Sequence, residues 1–206
     1  MAYNPTMPPR FDRDFFRRDP VRVARAMLGQ RLVRVLDGKR LAGVIVETEA
    51  YLGISDQAAH TFGGRRTKRN ESMWGDGGHA YVYFTYGMHH CVNVVAGRTG
   101  QPVAVLLRAL EPVEGLEVMR GRRLKAKRDT DLCSGPAKLT AALAIDRELD
   151  GADLVSSRTL FLECLRRRAL PGSHIAVSPR IGIDYAKQWK DRPLRFYIRG
   201  NPHVSR

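Results

Sequence analysis

Residues 31–51 read Arg31-Leu32-Val33-Arg34-Val35-Leu36-Asp37-Gly38-Lys39-Arg40-Leu41-Ala42-Gly43-Val44-Ile45-Val46-Glu47-Thr48-Glu49-Ala50-Tyr51. The first six residues are strand-like, and Asp37-Gly38 is a hairpin-turn pair. Leu41 to Tyr51 then returns as a second strand with Val44, Ile45 and Val46 at its centre. On the N-terminal side, Asp19-Pro20 caps and opens a helix in which Val21, Ala24 and Leu28 recur at helical spacing, with Gly29 closing it. The Pro-rich residues 1–10 form a flexible arm. On the C-terminal side, residues 52–78 carry turn residues and many charges and read as a long loop, a length that usually serves function. Strands follow at 81–88 and 90–95, joined near Tyr86-Gly87, and at 103–107. Helices are expected over 114–124 and 136–145, and strands over 160–162, 175–177 and 194–198. Strands and helices mix without a regular βαβ rhythm, which predicts one α+β domain over 11–206, built on a largely antiparallel curved sheet with flanking helices.

Lys plus Arg number 35 and Asp plus Glu 21, for a net charge of +14. That balance favours a polyanionic partner, with an anionic membrane surface as the competitor. Cys91, Cys133 and Cys164 are too few and too scattered for a disulfide scaffold and read as reduced residues of an intracellular, cytoplasmic protein. The start lacks the apolar run of a signal peptide. Residues 77–97 hold no Asp, Glu, Lys or Arg, yet their His, Asn and Tyr content reads as sheet rather than a membrane span.

In the strand ending Glu47-Thr48-Glu49-Ala50-Tyr51, alternation puts Glu47, Glu49 and Tyr51 on one face. A carboxylate at the end of a buried strand suits a general base, because desolvation raises its pKa. The plain alternative leaves both glutamates on the surface of a half-exposed strand. His60 alone is more often structural than catalytic. Residues 63–70 are basic with glycine hinges and fit phosphodiester contact better than an NTP loop. Two further basic runs occupy 120–128 and 166–168. Tyr81 and Tyr83 share a strand face, and sheet packing explains them well. A tip tyrosine, Tyr86, followed by Gly87 and Met88, is harder to explain by packing, and suits an aromatic wedge entering a base stack. No zinc-deaminase, HExxH, paired CxxC or EF-hand pattern occurs, so neither a metal nor a cofactor is expected.

Several blocks together resemble the alkyladenine (3-methyladenine) DNA glycosylase family. They are Glu47 to Gly53, Ala59-His60, Arg69-Asn70, Tyr81-Val82-Tyr83 with Tyr86-Gly87-Met88 and Asn93, Leu107 to Pro112, Ser134 to Leu139, Pro179 to Ile183, and Leu194 to Tyr197. They run in the family's order and cover most of the chain. The resemblance implies a protruding, DNA-inserting β-hairpin and a monofunctional glycosylase in which water attacks the sugar. It implies Glu49 as the water-activating base and Arg108 as a second catalytic-site residue. Tyr51, His60, Tyr83 and Asn93 correspond to the base pocket, with Asn93 screening against the guanine amino group. Tyr86 corresponds to the residue wedged into the duplex, and Arg65, Met88 and Lys138 to DNA contacts. The implied partner is double-stranded DNA carrying alkylated or deaminated purines, with the protein a monomer. Rival readings are a non-catalytic basic nucleic-acid-binding protein, a membrane-surface protein, and a metal-dependent nuclease using Glu47 and Glu49.

Overall fold

The computed structural model describes residues 8–205. Most of the expected N-terminal arm therefore lies outside the described residues. Its last residues are tied down rather than flexible: the Pro9 carbonyl accepts from the Cys164 N–H at 2.7 Å, and Arg10 forms a β-bridge with Glu163.

Helix α1 spans Arg13–Phe16 and α2 spans Pro20–Met27. The Asp19 carboxylate accepts from the Val21 and Arg22 N–H groups, which have no partner within the helix. The buried stripe of α2 is Val23, Ala24 and Met27, so Val21 lies at its margin. Strands β1 (Arg31–Leu36) and β2 (Lys39–Tyr51) form the expected hairpin. Asp37 and Gly38 both take positive φ, 49° and 75°, as a two-residue turn between right-twisted strands requires.

The segment after β2 winds through three short 3₁₀ turns at Gly53–Ser55, Phe62–Gly64 and Glu71–Trp74. Strands β3 (Ala80–Thr85) and β4 (His89–Ala96) make a second hairpin, and β5 runs over Val103–Glu114. That strand is more than twice its expected length. Residues 104–110 are buried, Arg108 included, and a register shift at Ala42/Gly43 admits Pro112 opposite Gly43. Helix α3 therefore starts late, at Leu116–Arg122, after Gly115 turns the chain at φ 76°. A Cβ there would sit 2.6 Å from the Arg40 carbonyl oxygen, so the turn is reserved for glycine. Helix α4 covers Pro136–Ala142, stopping short of Ile145 because Ala144 is left-handed. Strands β6 (Leu160–Glu163), β7 (Ile175–Ser178) and β8 (Arg195–Ile198) complete the chain.

All pairings are antiparallel, in the order β3-β4-β5-β2-β1-β6, with β8 also on β2 and β7 on β8. The sheet curls, and the molecule is one α+β domain. The spine is β2. One edge pairs with β5 from Ala42 to Tyr51. The other pairs with β1 up to Val44 and then with β8 at residues 47–49, while the β5 ladder shifts register between Ile45 and Thr48. Glu47 and Glu49 are thus flanked by strands on both sides, which is why they are buried. Among the described residues, no helix is long and apolar enough to cross a membrane.

Candidate active site

Both glutamates of β2 are fully buried, which overturns the surface alternative. Their partner is Arg108, at the centre of β5. Its Nε lies 3.0 Å from Glu47 Oε1 and its Nη1 3.2 Å from Glu49 Oε1. Glu47 is saturated. Its Oε1 accepts from Arg108, from Arg195 Nε at 2.6 Å and from the Ser205 hydroxyl at 2.8 Å, and its Oε2 accepts from the Ser205 N–H at 2.7 Å. Two carboxylates thus balance two guanidinium groups, which is what lets so much charge be buried.

Glu49 is held differently. Its Oε1 accepts from the Ile181 N–H at 2.8 Å and its Oε2 from the Tyr51 hydroxyl at 3.0 Å. With Arg108 that occupies three of about four acceptor positions on a carboxylate, leaving one on Oε2. Burial pushes its pKa up, while Arg108, the Ile181 N–H and the Tyr51 hydroxyl pull it back.

Above this carboxylate opens a cavity of about 180 Å³. Glu49 lies beneath its floor, and its three partners Tyr51, Arg108 and Ile181 all reach the lining. His60, Tyr83 and Asn93 also line it, so five of the six residues expected at the base pocket and its catalytic floor share one cavity, while Glu49 is bonded to two of them without lining it. The His60 ring meets Tyr83 edge-on, with centroids 4.6 Å apart and planes at 82°. Tyr81 stacks on Tyr83 at 5.3 Å, and its hydroxyl lies 2.8 Å from His60 Nδ1. Burial, with Arg69 and Arg65 nearby, depresses the His60 pKa to about 4, so the ring is neutral at physiological pH. Asn93 Nδ2 donates to the Tyr81 carbonyl at 3.1 Å, which fixes its amide against the wall.

A profile of methylpurine-DNA glycosylases matches residues 14–202. The chain belongs to that family. It is 45% identical over 199 residues to a protein of Natranaerobius thermophilus provisionally named 3-methyladenine DNA glycosylase, covering 95% of this chain and 98% of that one. A provisional namesake from Clostridium acetobutylicum is 46% identical over 94% of this chain and 96% of its own length. The DNA-3-methyladenine glycosylase of Mus musculus is 48% identical over 93% of this chain and 60% of its own.

This member of the methylpurine-DNA glycosylase family carries Tyr86 on the cavity rim, 83% exposed at the tip of the β3–β4 hairpin. Met88 beside it is 71% exposed but faces away from the cavity, toward α4. Arg65 lines a neighbouring cleft of about 280 Å³ with Arg69 and shares His60 with the main cavity. Lys138 is exposed and contacts Ser134 in a separate cleft. Sequence reasoning assigned no role to Ile181, Arg195 or Ser205, which hold the two glutamates, nor to Tyr185 on the rim. The Pro179–Ile183 and Leu194–Tyr197 blocks pointed to the first two, whereas no signal marked Ser205.

Proposed function

We propose that the protein is a monofunctional DNA glycosylase that extrudes alkylated or deaminated purines from duplex DNA and hydrolyses the N-glycosidic bond, initiating base excision repair. The observation that carries this reading is the unclaimed acceptor position of Glu49, beneath a cavity walled by Tyr51, His60 and Tyr83.

Extruding a nucleotide costs a few kcal/mol, which Tyr86 offsets by filling the vacated stack. The base enters the aromatic cavity. A purine alkylated on a ring nitrogen is cationic, and stacking a cation on these faces adds about 0.5–2 kcal/mol. The same charge weakens the bond to the sugar. Glu49 takes a proton from water on its open Oε2 position as that water attacks C1′, and the carboxylate stabilises the oxocarbenium-like transition state. Arg108 keeps Glu49 ionised and oriented. Asn93 crowds a guanine amino group. Arg65, Met88 and Lys138 contact the DNA around the lesion. The reading has the enzyme act as a cytoplasmic monomer, since a single lesion is an asymmetric target.

Neither a metal nor a cofactor enters this scheme, and both carboxylates are already committed to arginines, which disfavours the nuclease alternative. Glu49→Gln, tested on duplexes with one modified purine each and scored for free base, is expected to bind normally and lose about 10²–10⁴-fold in release rate. In the wild type, release should fall as pH drops through the raised pKa of Glu49, because only the carboxylate accepts the proton. Near-normal release by Glu49→Gln would remove Glu49 as the base.

A further inference from the structure

Behind Tyr51 lies an ion pair that the mechanism above does not use. Arg180 Nη1 is 2.5 Å from Asp56 Oδ2 and Nη2 is 2.8 Å from Oδ1, and both side chains are 0% exposed. Asp56 also accepts from the Leu52 and Ala58 N–H groups, and Arg180 Nη1 donates to the Ala50 carbonyl at 3.0 Å. The guanidinium carbon stands 4.6 Å from the centroid of the Tyr51 ring. Tyr51 lines the cavity, whereas neither Arg180 nor Asp56 does. The ring therefore has the cavity on one side and a guanidinium on the other.

An aromatic face attracts cations through its ring quadrupole. A cation behind the ring draws π density toward itself and repels a second cation in front. Asp56, bonded to both terminal nitrogens, offsets part of that charge. We propose that the Arg180–Asp56 pair sets the specificity of the cavity: the guanidinium behind Tyr51 restrains its preference for cationic purines over neutral ones, and Asp56 limits that restraint. The inference rests on the cavity being a purine pocket and goes beyond it, because it assigns the balance between the two lesion classes to residues that touch neither.

The two partners act with opposite signs. Removing the Arg180 charge frees the Tyr51 face for cations. Removing the Asp56 charge leaves the guanidinium uncompensated and favours neutral bases. A merely structural role would move both variants in one direction.

The readout is the ratio of dissociation constants for two duplexes, one carrying cationic N7-methyladenine and one carrying neutral hypoxanthine, each on a 2′-fluoro sugar that resists cleavage. Arg180→Met should shift the ratio toward the cationic base by about threefold or more. Asp56→Asn should shift it toward the neutral base. Arg180→Lys, which keeps the charge, should stay near wild type. If the single variants do not fold, the double variant Arg180→Met with Asp56→Leu replaces the pair by apolar side chains and should shift toward the cationic base. Shifts of one sign in both single variants, or an unmoved ratio in folded Arg180→Met or in the folded double variant, would overturn the proposal. Failure of the wild type to release bases from alkylated duplex sinks the glycosylase reading instead, and that assay is independent of the ratio.

Discussion

His60 illustrates how one residue couples the pocket to stability. Its folded-state pKa is about 4, against 6.5 for an unperturbed histidine. Between those values the unfolded chain binds the extra proton, so stability declines as pH falls from about 6.5 to about 4. The loss reaches roughly 3 kcal/mol at the low end. The sign is that of a base buried neutral, and Glu49, whose pKa is raised by burial, works in the opposite direction. Denaturant unfolding at pH 7 and pH 4.5 should therefore show a larger drop for the wild type than for His60→Gln; parallel losses would contradict the buried neutral ring. At this scale the sequence was informative about chemistry and poor on support. Glu49 and Tyr51 stood out by type and spacing, whereas His60 and Tyr83 drew attention only through the family resemblance. Ile181, whose contribution is a backbone N–H, carries no side-chain mark, and Ser205 is an ordinary serine until the fold brings it to Glu47.

Among the elements, the β3–β4 hairpin is the one on which the proposed duplex wedge depends. Tyr86 and Gly87 at its tip take φ of 51° and 69°, so the turn twists with its strands and places a tyrosine in the left-handed region. The Met88 N–H closes the turn on the Thr85 carbonyl at 3.3 Å. Tyr86→Ser should leave the fold intact and weaken binding to a damaged duplex more than to a damaged single strand, measured by fluorescence anisotropy. Equal losses on both would argue against wedging. Both hairpins were legible in the sequence, because their turns need particular residues and their strands are β-branched and aromatic. The full length of β5 was not, since a proline signals an end unless a bulge accommodates it, and here β5 itself bulges at Val113, a register set by its pairing with β2 that is not written locally. The fork of β2 between β1 and β8 was hidden for the same reason.

For the molecule as a whole, the 35 Lys and Arg overstate the cations free to meet a polyanion. Arg17 pairs with Asp76, Arg66 with Glu71, Arg120 with Asp129 and Arg128 with Asp131. Residues 166–168 follow β6, at the opposite edge of the sheet from the β3–β4 hairpin. A footprint of a few phosphates is the physical expectation, and duplex affinity should fall by about 10- to 1,000-fold between 50 and 200 mM salt. A flat response in a titration would exclude phosphate contact. The anchors of the two glutamates come from far along the chain: Ile181 lies 132 residues beyond Glu49, and Ser205 lies 158 residues beyond Glu47. During synthesis the tyrosines, the histidine and both acids leave the ribosome long before these late anchors exist. A nascent polypeptide thus holds both acids without these partners until the distant stretches that carry them have been made.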